Sequence, residues 1–193
     1  MKKFLLCFAL AMFSFANAQK GTVLVSGNVN YTSEKNSNDT FTAYQNFGFS
    51  PKVGYQFTDN WTLGVESTFN QNKWENNFSN NQKVNYFSIG TFARYSKPLN
   101  DSFSFFTDLG IGFQNRKEFF SDSSSTESIN KAQGFYANLQ PKIFLKIKNN
   151  FGINFGLGGL TYSSFNNQDS NNTVNSFNVN FGQAYTVGIQ KNF

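Results

Sequence analysis

FTAYQNFGFSPKVGYQF, residues 41 to 57, decides how this chain folds. Its odd positions are Phe41, Ala43, Gln45, Phe47, Phe49, Pro51, Val53, Tyr55 and Phe57; its even positions are Thr42, Tyr44, Asn46, Gly48, Ser50, Lys52, Gly54 and Gln56. Apolar residues recurring at every second position line one face of a β-strand. A helix would scatter the same residues around its axis, because successive side chains there sit about 100° apart.

The final stretch, residues 177–193, repeats the pattern with Phe177, Val179, Phe181, Tyr185, Val187, Ile189 and Phe193 on the odd face. Residues 22–31, 61–70, 84–96, 102–114, 132–147 and 151–162 alternate in the same sense, with weaker contrast in some. That predicts an all-β chain of eight antiparallel strands whose richer apolar face falls on odd numbers throughout. Between them, residues 58–60, 98–101 and 148–150 are short turns, whereas 32–40, 71–83, 115–131 and 163–173 are longer and rich in Asn, Ser and charge. Three tight turns at one end and four polar loops at the other predict an up-and-down transmembrane barrel, with its short turns periplasmic and its loops extracellular.

Alternation alone does not separate such a barrel from a soluble one whose apolar face points inward. The order of residues along the odd face does. Phe57, Trp61, Tyr95, Phe103, Phe151 and Phe193 lie near the short turns. Tyr31, Phe41, Phe69, Phe87, Phe113 and Phe177 lie near the long loops, and Val65, Ile89, Leu109, Leu139, Ile153 and Val187 lie between. Two aromatic girdles around an aliphatic belt match the two interfaces of a bilayer. Twelve such rings would not fit inside an eight-stranded barrel, which is just wide enough for its own side chains. The odd face is therefore expected to meet lipid.

The even face is expected to line the lumen. Glycines such as Gly54, Gly64, Gly90 and Gly112 leave room there, and Asn, Gln, Ser and Thr fill it. Its charges are Lys52, Glu66, Arg94, Asp108, Lys142 and Lys146. If Phe57 pairs with Trp61 across the first turn, Lys52 falls opposite Glu66, and Arg94 and Asp108 fall opposite or diagonal across the second. Buried charges need partners, so interior salt bridges are expected in place of an acid pair.

The amino terminus reads as an export signal. Lys2 and Lys3 precede a nearly unbroken apolar run over residues 4–15, and Ala16-Asn17-Ala18 supplies the small-x-small cleavage pattern. The run is shorter than the roughly 20 residues of a spanning helix. Removal of residues 1–18 would discard Cys7, the only cysteine, and leave residues 19–193 as one barrel domain. The chain has no histidine, so thiolate and imidazole chemistry, disulfides and the usual metal sites are excluded together. Two of the 16 basic residues leave with the signal, so 14 face 11 acids, too mild a balance for a nucleic-acid partner.

Three phrases carry a family resemblance: Phe87-Ser-Ile-Gly-Thr-Phe-Ala-Arg-Tyr95, Phe106-Thr-Asp-Leu-Gly-Ile-Gly112 and Phe155-Gly-Leu-Gly-Gly-Leu-Thr-Tyr162. With the strand order, the chain resembles the small outer-membrane β-barrel proteins abundant in Bacteroidetes, within the OmpA/OmpX-like group of Gram-negative cell envelopes. Thr91 departs from the proline common in the first phrase. A carboxyl-terminal Phe193 after an alternating strand resembles the signal read by the barrel-assembly machinery, with Lys191 departing from the usual apolar residue. Pro51 and Pro141 recur in similar phrases (Ser-Pro-Lys-Val and Gln-Pro-Lys-Ile), and proline recurring inside a strand points to a bulge or an ancestral hairpin duplication.

The resemblance implies fold and place more than activity. Enzymes on small membrane barrels are alike in using a catalytic histidine, so no enzyme and no cofactor are expected. Gly156-Leu-Gly-Gly159 lacks the helix and Lys-Ser/Thr of a phosphate loop. With nothing beyond Phe193, a wall-anchoring second domain is not expected. The expected partners are outer-membrane lipid, the barrel-assembly machinery and a surface partner met by the loops. The expected function is a plugged barrel with a structural or adhesin-like role; the alternative is a narrow channel for ions or small solutes.

Overall fold

A computed structural model describes residues 21–35, 41–76, 81–121, 127–168 and 172–193. The export signal expected at residues 1–18 lies outside the described residues. Among those described, eight strands run in order: β1 (Val23–Lys35), β2 (Phe41–Gln56), β3 (Trp61–Asn76), β4 (Asn81–Pro98), β5 (Phe103–Ser121), β6 (Glu127–Lys148), β7 (Phe151–Asn167) and β8 (Asn172–Asn192). Each pairs antiparallel with the next, and β8 returns to β1 to close the barrel. At the seam Val23 and Phe193 exchange backbone hydrogen bonds of 3.1 and 3.0 Å. The β1–β8 ladder runs only from Leu24↔Asn192 to Gly27↔Ile189, so the seam is paired at its short-turn end alone.

Each short turn has a local cause. Thr58 Oγ1 accepts from the Trp61 amide at 3.0 Å, and Phe57 N donates to Trp61 O at 3.1 Å. Asn100 Oδ1 accepts from the amides of Ser102 and Phe103 at 2.9 and 2.8 Å, an Asx turn. Asn149 and Asn150 have φ of 49° and 57°, the left-handed pair that a two-residue type I′ hairpin demands.

The faces sort by parity nearly everywhere. Large apolar side chains exposed on the outer wall carry odd numbers from Val25 through Phe193, apart from Val174. Buried inside are Leu24, Phe92, Phe106, Tyr136 and Phe144, with Glu66, Arg94, Asp108, Gln114 and Gln190. The even face is thus more aromatic than its Asn, Gln, Ser and Thr content predicts. Glycines admit these rings: a Cβ on Gly64 would stand 2.7 Å from Phe92, and one on Gly112 would stand 2.8 Å from Tyr136.

Three sequence expectations change. The described parts of the stretches 32–40, 71–83, 115–131 and 163–173 are almost wholly strand, not loop. Pairing of β5 with β6, for example, continues from Phe103↔Leu145 to Ser121↔Glu127. Beyond the apolar belt polar residues predominate and the apolar ones, such as Trp74, Phe119 and Phe120, do not alternate, so ladder bonds persist without a period-two pattern to announce them.

Parity also fails in β7. Gly156 pairs with Thr186 but Gly158 pairs with Phe181, a register shift across Gly158 and Gly182, whose φ are +92° and +75°. Past this bulge, even-numbered Leu160 and Tyr162 pair with outward Val179 and Phe177, while Phe165 turns in beside Tyr86, ring centroids 6.4 Å apart. The Gly156–Gly159 phrase is the place where the strand rotates its faces.

The proline echo splits as well. The β6–β7 register shifts between Leu139 and Lys142, around Pro141. The β2–β3 register is the same on both sides of Pro51.

Candidate functional site

The lumen closes around one carboxylate. Asp108 on β5 is fully buried and lies directly opposite Arg94 on β4. Arg94 Nε and Nη2 donate to its two oxygens at 2.6 and 2.9 Å, a bidentate pair. Lys52 Nζ from β2 reaches the same carboxylate at 3.2 Å, and Lys142 Nζ from β6 reaches it at 3.5 Å. Lys52 also lies 2.5 Å from Glu66, its partner in the β2–β3 register. Glu66 accepts from Tyr136 Oη at 2.9 Å and Asn138 Nδ2 at 3.4 Å.

Three cations therefore share two carboxylates in a largely buried core, and neutral donors and acceptors complete the shell. Arg94 Nη1 donates to Gln190 on β8 at 2.7 Å, tying the plug to the strand that closes the barrel. The guanidinium carbon stands 3.7 Å from the Phe106 ring centroid, with Phe92 at 5.8 Å. A guanidinium stacked on one ring and bonded at its edge has little freedom to swing aside.

Above and below this plug the lumen is hollow. A cavity of about 260 Å³ on the extracellular side meets Lys52, Glu66, Tyr86, Tyr136 and Lys142. A second, of about 250 Å³, opens toward the short turns past Arg94, Phe106, Phe144 and Gln190. Toward the extracellular mouth Asn46 donates to Asn70 at 3.2 Å and to Asn72 at 2.5 Å, and Tyr44 Oη donates to Asn72 at 3.2 Å. Asn30 donates to Asn46.

Of the six charges read from the sequence, five meet here. The sixth, Lys146, is exposed and lines the second cavity apart from the ion pairs; four residues along β6 from Lys142, it shares that residue's face but lies nearer the rim. Phe92, Phe106, Tyr136 and Gln190 were missed by sequence reading, although aromatics at even positions across from glycines were a visible signal. Among the described residues no acidic cluster is arranged to hold a metal.

The aromatic sets lie on the outer wall. Near the short turns Phe57, Trp61, Tyr95, Phe103, Phe151 and Phe193 are all exposed, and Trp61 packs edge-on against its register partner Tyr95, 5.2 Å between centroids. Near the opposite end each hairpin carries one cross-strand aromatic pair: Tyr31↔Phe47, Phe69↔Phe87, Phe113↔Phe135 and Tyr162↔Phe177. Phe47, Phe135 and Tyr162 thus complete the ring. Phe41 does not sit in it: its backbone pairs with Asn76, six residues nearer the hairpin tip than Phe47, and its side chain is outside what is described.

A family model described as outer membrane protein beta-barrel domain matches residues 4–184. Among solved structures, the chain is similar to Ail, the attachment invasion locus protein of Yersinia pestis, at 15% identity and a TM-score of 0.49, over 90% of this chain and 97% of that one. It is also similar to Neisserial surface protein A, at 13% identity and a TM-score of 0.47, over 90% and 96% of the two chains. No curated protein matches the sequence.

Proposed function

The chain belongs to the outer membrane protein β-barrel domain family and resides in the outer membrane, and from there we propose that it is a closed, non-catalytic barrel that presents paired β-hairpins to a surface partner. The observation that carries this reading is a division of labour along the strands. The middle of the lumen is shut by Arg94, Asp108, Lys52 and Phe106, whereas the strands continue as hydrogen-bonded hairpins well beyond the aromatic ring. A bilayer needs about 9–11 residues per strand; β5 has 19 and β6 has 22. The surplus is hydrogen-bonded strand projecting past the belt, which suits contact better than transport.

Export through a cleaved signal at residues 1–18 and insertion by the barrel-assembly machinery belong to this reading, as does membership of the type abundant in Bacteroidetes. A narrow channel is the competing function, because the two cavities lie end to end with one plug between them. Single-channel recording of the refolded protein in planar bilayers tests the choice. The closed barrel gives no steady unitary openings, and Arg94→Ala, which removes the stacked guanidinium, gives brief ones. Steady openings of the unaltered protein would establish the channel and overturn the closed barrel. Adhesion of beads carrying the protein to host or bacterial surfaces, abolished by trimming the hairpins, supports the partner-contact half of the reading.

A further inference from the structure

The first and last strands meet over four residues only. Their ladder ends at Gly27↔Ile189, and among the described residues no pair of β1 with β8 lies above it. On their other sides both strands go on: β1 pairs with β2 up to Lys35, and β8 pairs with β7 up to Asn172. The cause lies in β8. Gly156 pairs with Thr186 but Gly158 pairs with Phe181, so one residue of β7 spans four of β8. A bulge of that size, with Gly182 at a φ of +75°, takes the upper half of β8 out of register with β1. Residues 172–179 are exposed on both faces, as befits a strand with a free edge.

The resulting slot falls at hydrocarbon depth. Gly27 lies four residues below Tyr31, whose pair with Phe47 belongs to the outer aromatic ring. Four residues at about 3.3 Å each, tilted by about 40°, make the slot about 10 Å tall within the membrane. Hydrocarbon offers no partner to free backbone groups, so sheet edges persist at that depth only where they line a cavity. These edges do. The cavity of about 260 Å³ on the extracellular side of the plug is lined by Ser26 and Asn28 from β1 and by Thr186 from β8, so both lips of the slot belong to its wall. Thr186 lines this cavity and is nonetheless exposed. On the lipid side the lips are apolar, with Val29, Val187 and Ile189 all exposed.

Charge identifies what fits. Lys52, Arg94 and Lys142 face Glu66 and Asp108, which leaves one cation in excess, and Arg116 higher in the lumen is already paired with Glu118. Lys142 holds the longest of these contacts, 3.5 Å to Asp108, and lines the cavity. Its ammonium has three donors to place, and a buried charge in excess calls for an anion. The cavity is smaller than the roughly 300–1,000 Å³ of sites that enclose a whole small-molecule ligand. It takes a head group, and the rest of the ligand must lie in the slot against apolar lips. We propose that the seam is a lateral portal for a single-chain anionic amphiphile, a long-chain carboxylate, which enters from the outer leaflet. Its head meets Lys142, and its chain lies between Val29 and Val187, which would face each other if the ladder continued. The plug beneath stays shut, so the portal captures a ligand from the membrane without passing it through the barrel.

The test uses the full mature protein refolded into nanodiscs of phosphatidylcholine, with dibromostearate as a fluorescence quencher. Val29→Trp places a reporter beside the slot, and Ile111→Trp places one on the far wall, both at exposed outward positions. After subtraction of the Trp61 and Trp74 signal, quenching in Val29→Trp is expected to saturate at one dibromostearate per barrel. In Ile111→Trp it should rise only in proportion to the total. Adding Lys142→Met should lower the affinity about ten-fold or more, as loss of a hydrogen bond to a charged group implies. Lys146→Met, in the other cavity, should leave it unchanged, and heat-modifiable gel migration checks that both variants fold. Equal quenching at the two reporters, the same saturation with the brominated alcohol, or undiminished binding in folded Lys142→Met would each overturn the portal. So would displacement by butyrate at matching concentration, which would make the ligand a soluble anion entering from the mouth.

Discussion

Replacing Asp108 with Asn changes one oxygen to an amide nitrogen, yet it should be among the most damaging substitutions in the barrel. The carboxylate is fully buried and faces Arg94 at 2.6 and 2.9 Å, Lys52 at 3.2 Å and Lys142 at 3.5 Å. Three of these contacts fall on Oδ2. Asparagine keeps one acceptor for Arg94, but either orientation turns an acceptor facing cations into a donor. The plug then holds three cations against Glu66 alone. Unit charges 4 Å apart interact by about 4 kcal/mol at an effective dielectric of 20, and removing one partner of a buried pair typically costs about 3–5 kcal/mol. A loss of about 3–5 kcal/mol is therefore expected for Asp108→Asn. Reversible urea unfolding in lipid vesicles, followed through Trp61 and Trp74 fluorescence, measures it. Glu66→Gln should lose less, about 1–2 kcal/mol, because Lys52 keeps Asp108 while Tyr136 and Asn138 keep a hydrogen-bond partner. A cost below about 1 kcal/mol for Asp108→Asn, the range of exposed pairs, would refute the account. So would a larger loss from Glu66→Gln, since the network would then not centre on Asp108.

Two further outcomes follow from packing and from the amino-terminal signal. Gly64→Ala should destabilise the barrel by about 1–3 kcal/mol, since its Cβ would meet Val53 O at 2.2 Å and Gly54 Cα at 2.5 Å. Gly27→Ala, whose nearest neighbour is Ser50 O at 3.2 Å, should cost clearly less in the same urea titration. Intact-mass measurement of protein recovered from outer membranes should give a chain beginning at Gln19; a mass retaining Cys7 would rule out cleavage after Ala18.

Much of the site was legible because it depends on local periodicity. Turn position fixes hairpin register, so reading Phe57 against Trp61 places Lys52 opposite Glu66 by counting along two strands. The same counting places Arg94 opposite or diagonal to Asp108, and the β4–β5 register makes it directly opposite. Lys52 reaching Asp108 was not legible, since β2 and β5 are not neighbours and the contact crosses the lumen. Nor was Arg94 with Gln190, 96 residues apart, which exists only when β8 closes on β1. Lys146 shows the opposite error: its parity is right, but its level along the strand leaves it at the rim.

What the sequence by itself determined, then, is everything that period two and turn chemistry control: eight strands, their antiparallel order, the outward apolar face and the three short turns. These depend on residues close in the chain, where alternation and Asn or Thr side chains act directly on the backbone. Only the tertiary structure decided how far the strands run past the apolar belt, because pairing between two polar faces leaves no alternating trace. It also decided the rotation of β7 at Gly158, which sends Tyr162 out and Phe165 in. Closing the sheet chose the remainder: which rings fill the glycine gaps and which cations share Asp108. Those are relations between strands far apart in sequence, and they come into being only when curvature brings the first strand to the last.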